Sequence, residues 1–302
     1  MSGKAAPGKV RIGISGWLYA GWRGRFYPEG LKQRSELEYA ARKFASIEIN
    51  GTHYSLQRPE SFRRWHAETP EEFVFAVKGS RYITHMLQLN NVETAIANFF
   101  AQGVLCLGPK LGPILWQLPK RTRFFPDKLA SFFDQLPRSH ADAAKLARKH
   151  DTRLSGRAAT KAEARGKIHH ALEVRHESFL VPEFIELLRA HDVGLVVSDA
   201  VGWPLLLDVT ADFVYVRLHG SRQLYASGYR PDELALWANR IGHWRMGSAM
   251  RSKDRAISPS RDHVRRDVYV YFDNDAKVRA PFDALALAEL VQPLRNSRRR
   301  KA

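Results

Sequence analysis

Charged side chains stand at the ends of apolar segments throughout this chain, where core packing alone does not explain them. A buried charge is costly unless it is paired or used by a ligand, so these residues predict either an internal salt-bridge network or a ligand pocket that also uses one. Carboxylates and histidines in a pocket can transfer protons, and arginine and lysine can bind an anion. The residues concerned are Glu48, Lys78, Glu173, Arg175, Asp199, Arg217 and His219.

Eight apolar runs contain or border these residues, and helix-like segments separate most of the runs. The runs are nearly continuous in apolar character, which is typical of parallel strands buried on both faces. Eight strands, most of them followed by a helix, predict an α/β chain with a TIM-type (β/α)8 barrel, whose strand C-termini meet on the face that carries the active site. The predicted strands are 10–17, 46–52, 73–80, 112–119, 170–177, 194–200, 213–220 and 267–275, and the predicted helices include 36–44, 182–191, 231–244 and 284–294.

The domain organisation follows from the same pattern. We expect a flexible N-terminus at 1–9, a single barrel domain at 10–294 and a basic C-terminal tail at 295–302. Two polar segments, 139–168 and 247–266, interrupt the regular alternation and are predicted to be insertions rather than separate domains.

Side-chain alternation predicts that the charged groups share one pocket. Residues two apart on a barrel strand face the interior together. Such pairs lie near the C-terminal end of three predicted strands, so positions far apart in sequence should converge at the same face. The pairs are Glu48 with Asn50, Glu173 with Arg175, and Arg217 with His219.

The basic residues of this set predict an anionic ligand. Arginine binds carboxylate or phosphate through two parallel hydrogen bonds, and Lys78, Arg175 and Arg217 all stand near strand ends. Barrel phosphate sites often follow strands seven and eight, where this chain has the loops 220–222 and 275–277. Neither loop is a specific motif.

A divalent metal is the alternative ligand. Carboxylates and imidazoles suit Zn²⁺ or Mn²⁺, but these groups are dispersed and lie beside basic residues, so the metal and any cofactor stay open. The candidate metal ligands are Glu48, Glu173, His176, Asp199 and His219.

Aromatic residues follow several predicted strands, including Trp17 after the first and Tyr54 after the second. Packing of long loops explains many of them, and a stacking wall for a sugar or base is the sharper alternative.

The single cysteine, Cys106, excludes an internal disulfide and a multi-cysteine metal site and is predicted to be a core thiol. No apolar stretch approaches the length of a membrane span and 1–9 lacks the apolar core of a secretory signal, so we expect a cytoplasmic protein with no membrane partner.

The net charge of +17 invites a nucleic-acid interpretation. Most of the surplus lies in three segments, with +6 in 138–168, +5 in 245–266 and +5 in 295–302, which leaves about +1 for the remaining barrel. The first two segments precede strands, on the barrel face away from an active site. We therefore expect a mostly peripheral basic surface, with nucleic acid as a possible partner through these insertions.

Several of these segments together resemble the YecE-like family, also called domain of unknown function 72. The similarity covers 10–294 and implies a TIM-type barrel but no reaction. One departure is Asp273, where the family often has asparagine and this chain adds a carboxylate. The matching motifs are ISGW at 14–17, IEIN at 47–50, FAVK at 75–78, QLP at 117–119, EVRHES at 173–178, YVRLHG at 215–220 and YVYFDN at 269–274.

The leading hypothesis is an enzyme, a hydrolase, lyase or isomerase, that acts on a small phosphorylated or carboxylated substrate by acid/base chemistry. The first alternative is a metal-dependent phosphodiesterase or isomerase of the barrel type, with nucleic acid as a candidate substrate, and the second is a non-enzymatic nucleic-acid-associated protein. The expected catalytic residues are Glu48, Glu173, His219 and Asp199, and the expected substrate-binding residues are Trp17, Asn50, Tyr54, Lys78, Gln117, Arg175, His176, Arg217 and Asn274.

Overall fold

Eight parallel strands form the centre of the molecule in the computed structural model, which describes residues 6–248, 254, 256 and 264–291. In chain order they are β1 Val10–Ser15, β2 Ser46–Ile49, β3 Val74–Lys78, β4 Leu111–Gln117, β5 His170–Glu173, β6 Gly194–Asp199, β7 Phe213–Leu218 and β8 Asp267–Phe272. Each strand pairs with its sequence neighbours, and β8 pairs with β1 from Val10↔Val268 to Ile14↔Phe272, which closes the sheet. The predicted TIM-type barrel is confirmed.

Helices surround the barrel and begin where the sequence favours a first turn. Four of them start with proline, whose fixed φ and missing N–H suit the first helical position. The helices of the described residues are α1 Glu36–Ala41, α2 Gly51–Tyr54, α3 Pro59–Ala67, α4 Glu93–Ala101, α5 Pro126–Asp134, α6 His140–Ala147, α7 Pro182–Ala190, α8 Pro231–Met246 and α9 Ala280–Val291; short 3₁₀ turns and one π-helical turn, Tyr82–Met86, lie in the loops.

The predicted strands extend too far at their C-terminal ends. β2 ends at Ile49 and β7 at Leu218, so Asn50 and His219 belong to the loops that follow. A predicted helix at 284–294 also begins too late, because α9 starts at Ala280 with Pro281 in its first turn. These differences place several candidate residues on turns just above the sheet.

The core has two layers. The larger layer lies between the sheet and the helices, and a smaller one fills the barrel interior with Tyr215, Tyr271 and smaller side chains of β3 to β8. Alternation along each strand decides which layer a side chain joins. Cys106 is buried in the outer layer, as predicted, and burial raises the pKa of its thiol to about 12.

The chain ends and the second insertion are described only in part. Within the N-terminal segment 1–9, the Gly8 N–H donates to the Arg245 carbonyl and the Lys9 N–H donates to Asp267 at 2.8 Å. The basic tail 295–302 and most of 247–266 lie outside the described residues. In the described part of the chain, no helix combines the length and apolar character that crossing a membrane requires.

Candidate active site

Interior-facing residues at the C-terminal ends of the strands form one polar ring. Side chains two apart share a face, so the residues that continue the interior layer of Tyr215 and Tyr271 also point inward. The ring consists of Ser15 on β1, Glu48 on β2, Lys78 on β3, Gln117 on β4, Glu173 on β5, Ser198 on β6, Arg217 on β7 and Asp273 directly after β8.

Arg217 lies at the centre of this ring and is fully buried. Its Nε and Nη2 donate to the two oxygens of Glu48 at 3.1 and 2.9 Å, and its Nη1 donates to Glu173 Oε2 at 2.6 Å. Nη2 also donates to Asp273 Oδ2 at 2.9 Å. Three carboxylates therefore use four of the five N–H donors of one guanidinium, and the fifth, on Nη1, faces His219 Nε2 at 3.4 Å, which leaves Arg217 no free donor for a substrate anion.

The Glu48 carboxylate is held by further buried donors. Ser15 Oγ donates to Glu48 Oε1, and Tyr215 OH donates to Glu48 Oε2 at 2.6 Å from the layer below. Asn50 Nδ2 in turn donates to Ser15 Oγ at 3.0 Å, and its own Oδ1 is buried without a partner. The Glu48 carboxylate is thus fixed in one orientation.

Glu173 links the ring to the mouth of the barrel through Arg175. Arg175 Nε donates to Glu173 Oε1 at 2.9 Å, and its guanidinium stacks over the Trp203 ring at 3.9 Å. Burial opposes ionisation of Glu173, but Arg175 and Arg217 outweigh it and keep the pKa of this carboxyl below its ordinary value. A cleft of about 410 Å³ opens here, lined in part by Lys120, Arg175 and Trp203.

His219 lies directly above the ring, between Glu173 and Asp273. His219 Nδ1 lies 3.1 Å from Asp273 Oδ2, and Nε2 lies 3.4 Å from Arg217 Nη1. Burial and the charge of Arg217 lower the pKa of His219, so the imidazole is neutral at neutral pH. Gly220 follows with φ of 104°, a conformation that favours glycine and turns the chain away from the site.

Asp275 adds a carboxyl that titrates near neutral pH. Burial and the neighbouring Asp273 carboxylate raise the pKa of Asp275 to about 6. Burial, Asp273 and Asp275 together raise the pKa of Tyr19, whose hydroxyl donates to the Ser15 carbonyl. A group with a pKa close to the working pH is suited to proton transfer.

Three polar side chains of the ring have no partner, namely Ser198, Lys78 and Gln117. Lys78 is 7% exposed and Gln117 is 5% exposed, yet neither the ammonium nor the amide forms a hydrogen bond or ion pair with any described residue. Burial and, next, the charge of Arg217 lower the pKa of Lys78 to about 8. These groups remain available to a ligand.

The loops around the mouth are basic on one side. The loops after β2, β3 and β4, at 50–58, 79–92 and 118–125, contain no acidic residue. Burial and then four basic side chains lower the pKa of His85, which places those charges close together; they are, in order of effect, Arg175, Lys78, Arg121 and Arg81. Positive charge is therefore concentrated on this side of the mouth.

Two candidate residues lie outside the ring. Asp199 ends β6 but faces outward, where its Oδ2 accepts from Trp237 Nε1 at 3.1 Å. Asn274 also faces outward and donates to the Ser227 carbonyl at 2.9 Å and to Asp283 at 2.8 Å. Alternation explains both, since Ser198 and Asp273 occupy the inward positions next to them, and this placement does not favour catalysis by Asp199 or ligand orientation by Asn274.

Three other candidates lie near the mouth but contribute differently. His176 caps a 3₁₀ turn, accepting from the Ser178 N–H at 3.1 Å, and lines the same cleft as Arg175. Trp17 is buried edge-on against Trp65, with ring centroids 5.4 Å apart, which is a packing contact. Tyr54 is 64% exposed at the rim, beneath the Arg81 guanidinium.

Sequence reasoning missed several residues of the site, among them Ser15, Tyr215 and Trp203. Ser15 has the inward position at the end of β1 and was identifiable by alternation. Tyr215 lies two residues before Arg217 on the same face, so the same rule could have found it. Trp203 lies in the long loop after β6, and no local pattern indicates that its ring meets Arg175.

The donor groups do not form a ready metal site. Within the described ranges, no group of three or more histidine, cysteine or acidic side chains is arranged to hold a metal ion. The three central carboxylates instead surround the Arg217 guanidinium. This arrangement does not favour the metal-dependent alternative.

Comparison with known proteins identifies the family. A family model described as "Protein of unknown function DUF72" matches residues 11–301. The chain belongs to the DUF72 family. Among its relatives, UPF0759 protein YecE of Escherichia coli K12 is 30% identical over 131 residues, which are 42% of this chain and 44% of YecE. UPF0759 protein YunF of Bacillus subtilis is 29% identical over 75 residues, 25% of this chain and 26% of YunF.

The alignments thus span less than half the length of these curated relatives. Solved DUF72 structures share the fold over nearly the whole chain. The protein from Thermotoga maritima has a TM-score of 0.71 at 24% identity and covers 94% of this chain and 100% of its own. The protein from Enterococcus faecalis V583 has a TM-score of 0.67 at 17% identity, with coverages of 94% and 96%. The resemblance to the YecE-like family is confirmed.

Proposed function

We propose that this DUF72 protein is an enzyme that binds a small phosphorylated or carboxylated substrate at the mouth of the barrel and acts on it by acid/base chemistry. The observation that carries the proposal is that charged side chains are paired inside the barrel but not at its mouth. The interior carboxylates are neutralised by Arg217, whereas basic side chains at the mouth have no acidic partner among the described residues. These unpaired side chains are Lys78, Arg81, Lys120, Arg121 and Arg123.

The anion contacts Lys120 and Arg175, which line the same cleft, and Arg121, which is the next residue in the loop after Lys120. Arg121 and Arg175 can each offer two parallel donors to a phosphate or carboxylate. The rest of the substrate extends inward to Gln117 and Lys78, whose polar atoms have no protein partner. Arg217 is assigned a positioning role, because it has no donor left.

We assign proton transfer to groups that a substrate can reach and whose pKa lies near neutral pH. Glu48 and Glu173 are fully buried and bound to Arg217, so they position the guanidinium. Asp273 keeps 15% of its side chain exposed and adjoins Asp275, the carboxyl with a pKa of about 6. We assign Asp275 as the general acid or base and the His219–Asp273 pair as its support. Hydrolysis, elimination and isomerisation all use such groups.

A second function has a specific observation in its favour. Tyr54 is 64% exposed and lies beneath the Arg81 guanidinium. Phe125 is 57% exposed and lies in the same loop as Arg121 and Arg123. Exposed rings beside unpaired cations are the arrangement that binds single-stranded nucleic acid by stacking and charge. The candidate nucleic-acid contact is then the mouth itself as well as the basic insertions.

Thermal unfolding with inorganic phosphate tests the leading proposal. A ligand raises the melting temperature of the state that it binds, so phosphate should protect the wild-type protein. The double variant Lys120→Ala with Arg121→Ala should keep its ligand-free melting temperature and lose most of the protection. The matched control is Lys145→Ala with Arg148→Ala, two exposed and unpaired residues on and directly after α6. Equal protection of both double variants would overturn the anion site.

A further inference from the structure

Lys78 is a buried amine without a partner. It ends β3 inside the barrel, is 7% exposed, and its Nζ forms no hydrogen bond or ion pair with any described residue. Its backbone is fixed, since Thr52 Oγ1 donates to the Lys78 carbonyl at 2.6 Å. A buried ammonium that no hydrogen bond satisfies carries a free-energy cost, and natural proteins retain such groups mainly where they have a use.

Lys110 provides an internal comparison. It is 5% exposed, about as buried as Lys78. Its Nζ donates to the carbonyls of His66 and Thr69 at 2.6 and 2.8 Å and to Thr69 Oγ1 at 3.2 Å, so all three N–H groups are satisfied. The same chain therefore buries one lysine whose ammonium is fully hydrogen-bonded and one whose ammonium has only the more distant charges of Glu48, Glu173 and Asp273 to offset its burial, and the second is the one inside the polar ring.

The surroundings of Lys78 favour a partly neutral amine. Burial and then Arg217 lower its pKa to about 8 against the opposing charges of Glu48, Asp273 and Glu173, so the amine is neutral in about a tenth of the molecules at pH 7, against well under 0.1% for an ordinary lysine. A desolvated lysine near another cation is a recognised form of activated nucleophile. The titratable and charged groups around it are Glu48, His53, His85, Glu173, Arg175, Arg217 and Asp273.

We propose that Lys78 is a catalytic nucleophile that forms an imine with the carbonyl carbon of its substrate. The substrate class is a small aldehyde or ketone that also carries a phosphate or carboxylate. The amine nitrogen bonds to the carbonyl carbon and the carbon–oxygen bond breaks. Two of the three ammonium protons leave with the oxygen as water, and the third stays on the imine nitrogen. Charge is conserved and no oxidant or reductant is needed.

This inference rests on the proposed function, because the basic side chains of the mouth supply the site for the anionic end of the substrate. It narrows that function to reactions that an imine assists, such as cleavage or isomerisation next to a carbonyl. Arg217 contributes indirectly, since its charge favours the neutral amine.

Reductive trapping tests the inference on the full-length protein. Glyoxylate, an anionic aldehyde, and glycolaldehyde, a neutral one of similar size, are each incubated with sodium cyanoborohydride, and the modified lysines are identified by peptide mass spectrometry. Lys78 should be labelled at least tenfold faster than exposed lysines at pH 7, with a half-maximal rate near pH 8, and Lys110 should stay unlabelled. The comparison between lysines uses the wild-type chain, so it does not depend on a Lys78 variant folding.

The Lys120→Ala, Arg121→Ala double variant separates the two proposals. If both hold, it slows labelling of Lys78 by glyoxylate but not by glycolaldehyde. Labelling of Lys78 that is equally fast with both probes and in both proteins supports the imine and overturns the anion site. Phosphate protection without preferential labelling of Lys78 overturns the imine and leaves the anion site standing. Labelling spread evenly over the surface lysines also overturns the imine.

Discussion

Arg217 and Glu48 form a two-point ion pair between strands that are not neighbours in the barrel. Nε and Nη2 of Arg217 reach the two oxygens of Glu48 at 3.1 and 2.9 Å, and both side chains are fully buried. The pair joins β2 to β7 across the interior, above the Tyr215 and Tyr271 layer. It fixes the position of the guanidinium from which the other carboxylates of the site take their orientation.

The first prediction is that Arg217→Met destabilises the protein by about 3–5 kcal/mol, because it leaves Glu48 and Glu173 as buried carboxylates without their main partner. Urea unfolding at pH 7 measures the effect. Arg42→Met is the control: it breaks the exposed Arg42–Glu38 pair and should cost less than about 1 kcal/mol. Similar losses in the free energy of unfolding for both variants would show that the buried pair contributes no more stability than the exposed pair.

The second prediction concerns acid stability. The pKa of Glu173 is lower in the folded protein than in the unfolded chain, so the unfolded state binds more protons as the pH falls through the unfolded pKa near 4.3. The stabilisation is present above that pH and is lost below it. Glu173→Gln should therefore flatten the decline of the free energy of unfolding between about pH 5 and 3. An unchanged slope in urea titrations across that range would contradict the assignment.

The third prediction has the opposite sign and concerns Asp275. Its pKa of about 6 exceeds the unfolded value near 3.9, so the wild type loses stability as the pH rises through 6. Asp275→Asn removes this loss and should stabilise the protein by about 1–2 kcal/mol at pH 7.5, which is the two-unit shift reduced because solvent screens a partly exposed carboxyl, and by little at pH 4. Asp232→Asn, at an exposed carboxylate whose pKa Arg230 lowers, should show no such gain. Urea unfolding curves of both variants and the wild type at pH 7.5 and pH 4 measure these differences, and an equal gain at the two pH values would contradict the prediction.

The fourth prediction addresses nucleic acid. If the tail and insertion bind it, deletion of 295–302 with shortening of 247–266 should lower nonspecific DNA affinity and weaken its salt dependence. If the mouth binds single strands, replacing Lys120, Arg121 and Arg123 by alanine should reduce the slope of log affinity against log salt by about 2. Fluorescence anisotropy with an oligonucleotide at several salt concentrations distinguishes the two surfaces. No change in either protein would exclude both.

The sequence by itself determined the barrel and the direction in which most site residues point. Eight apolar runs with intervening helices permit few other folds, and parallel strands bring their C-termini to one face. Because alternation has a period of two, Glu48, Glu173 and Arg217 could be placed in the interior without coordinates. The same rule, applied to β6 and β8, would have turned Asp199 and Asn274 outward.

Only the tertiary structure decided how these groups share their partners. Hydrogen bonds across the barrel join residues far apart in sequence, so no local pattern reveals that Glu48, Glu173 and Asp273 together use the donors of Arg217. Loop conformation is likewise set by contacts with the whole fold, which is why Trp203 under Arg175 could not be foreseen. The sequence supplies the charged groups, but the packing of distant segments determines which of them stay unpaired and free to bind a ligand.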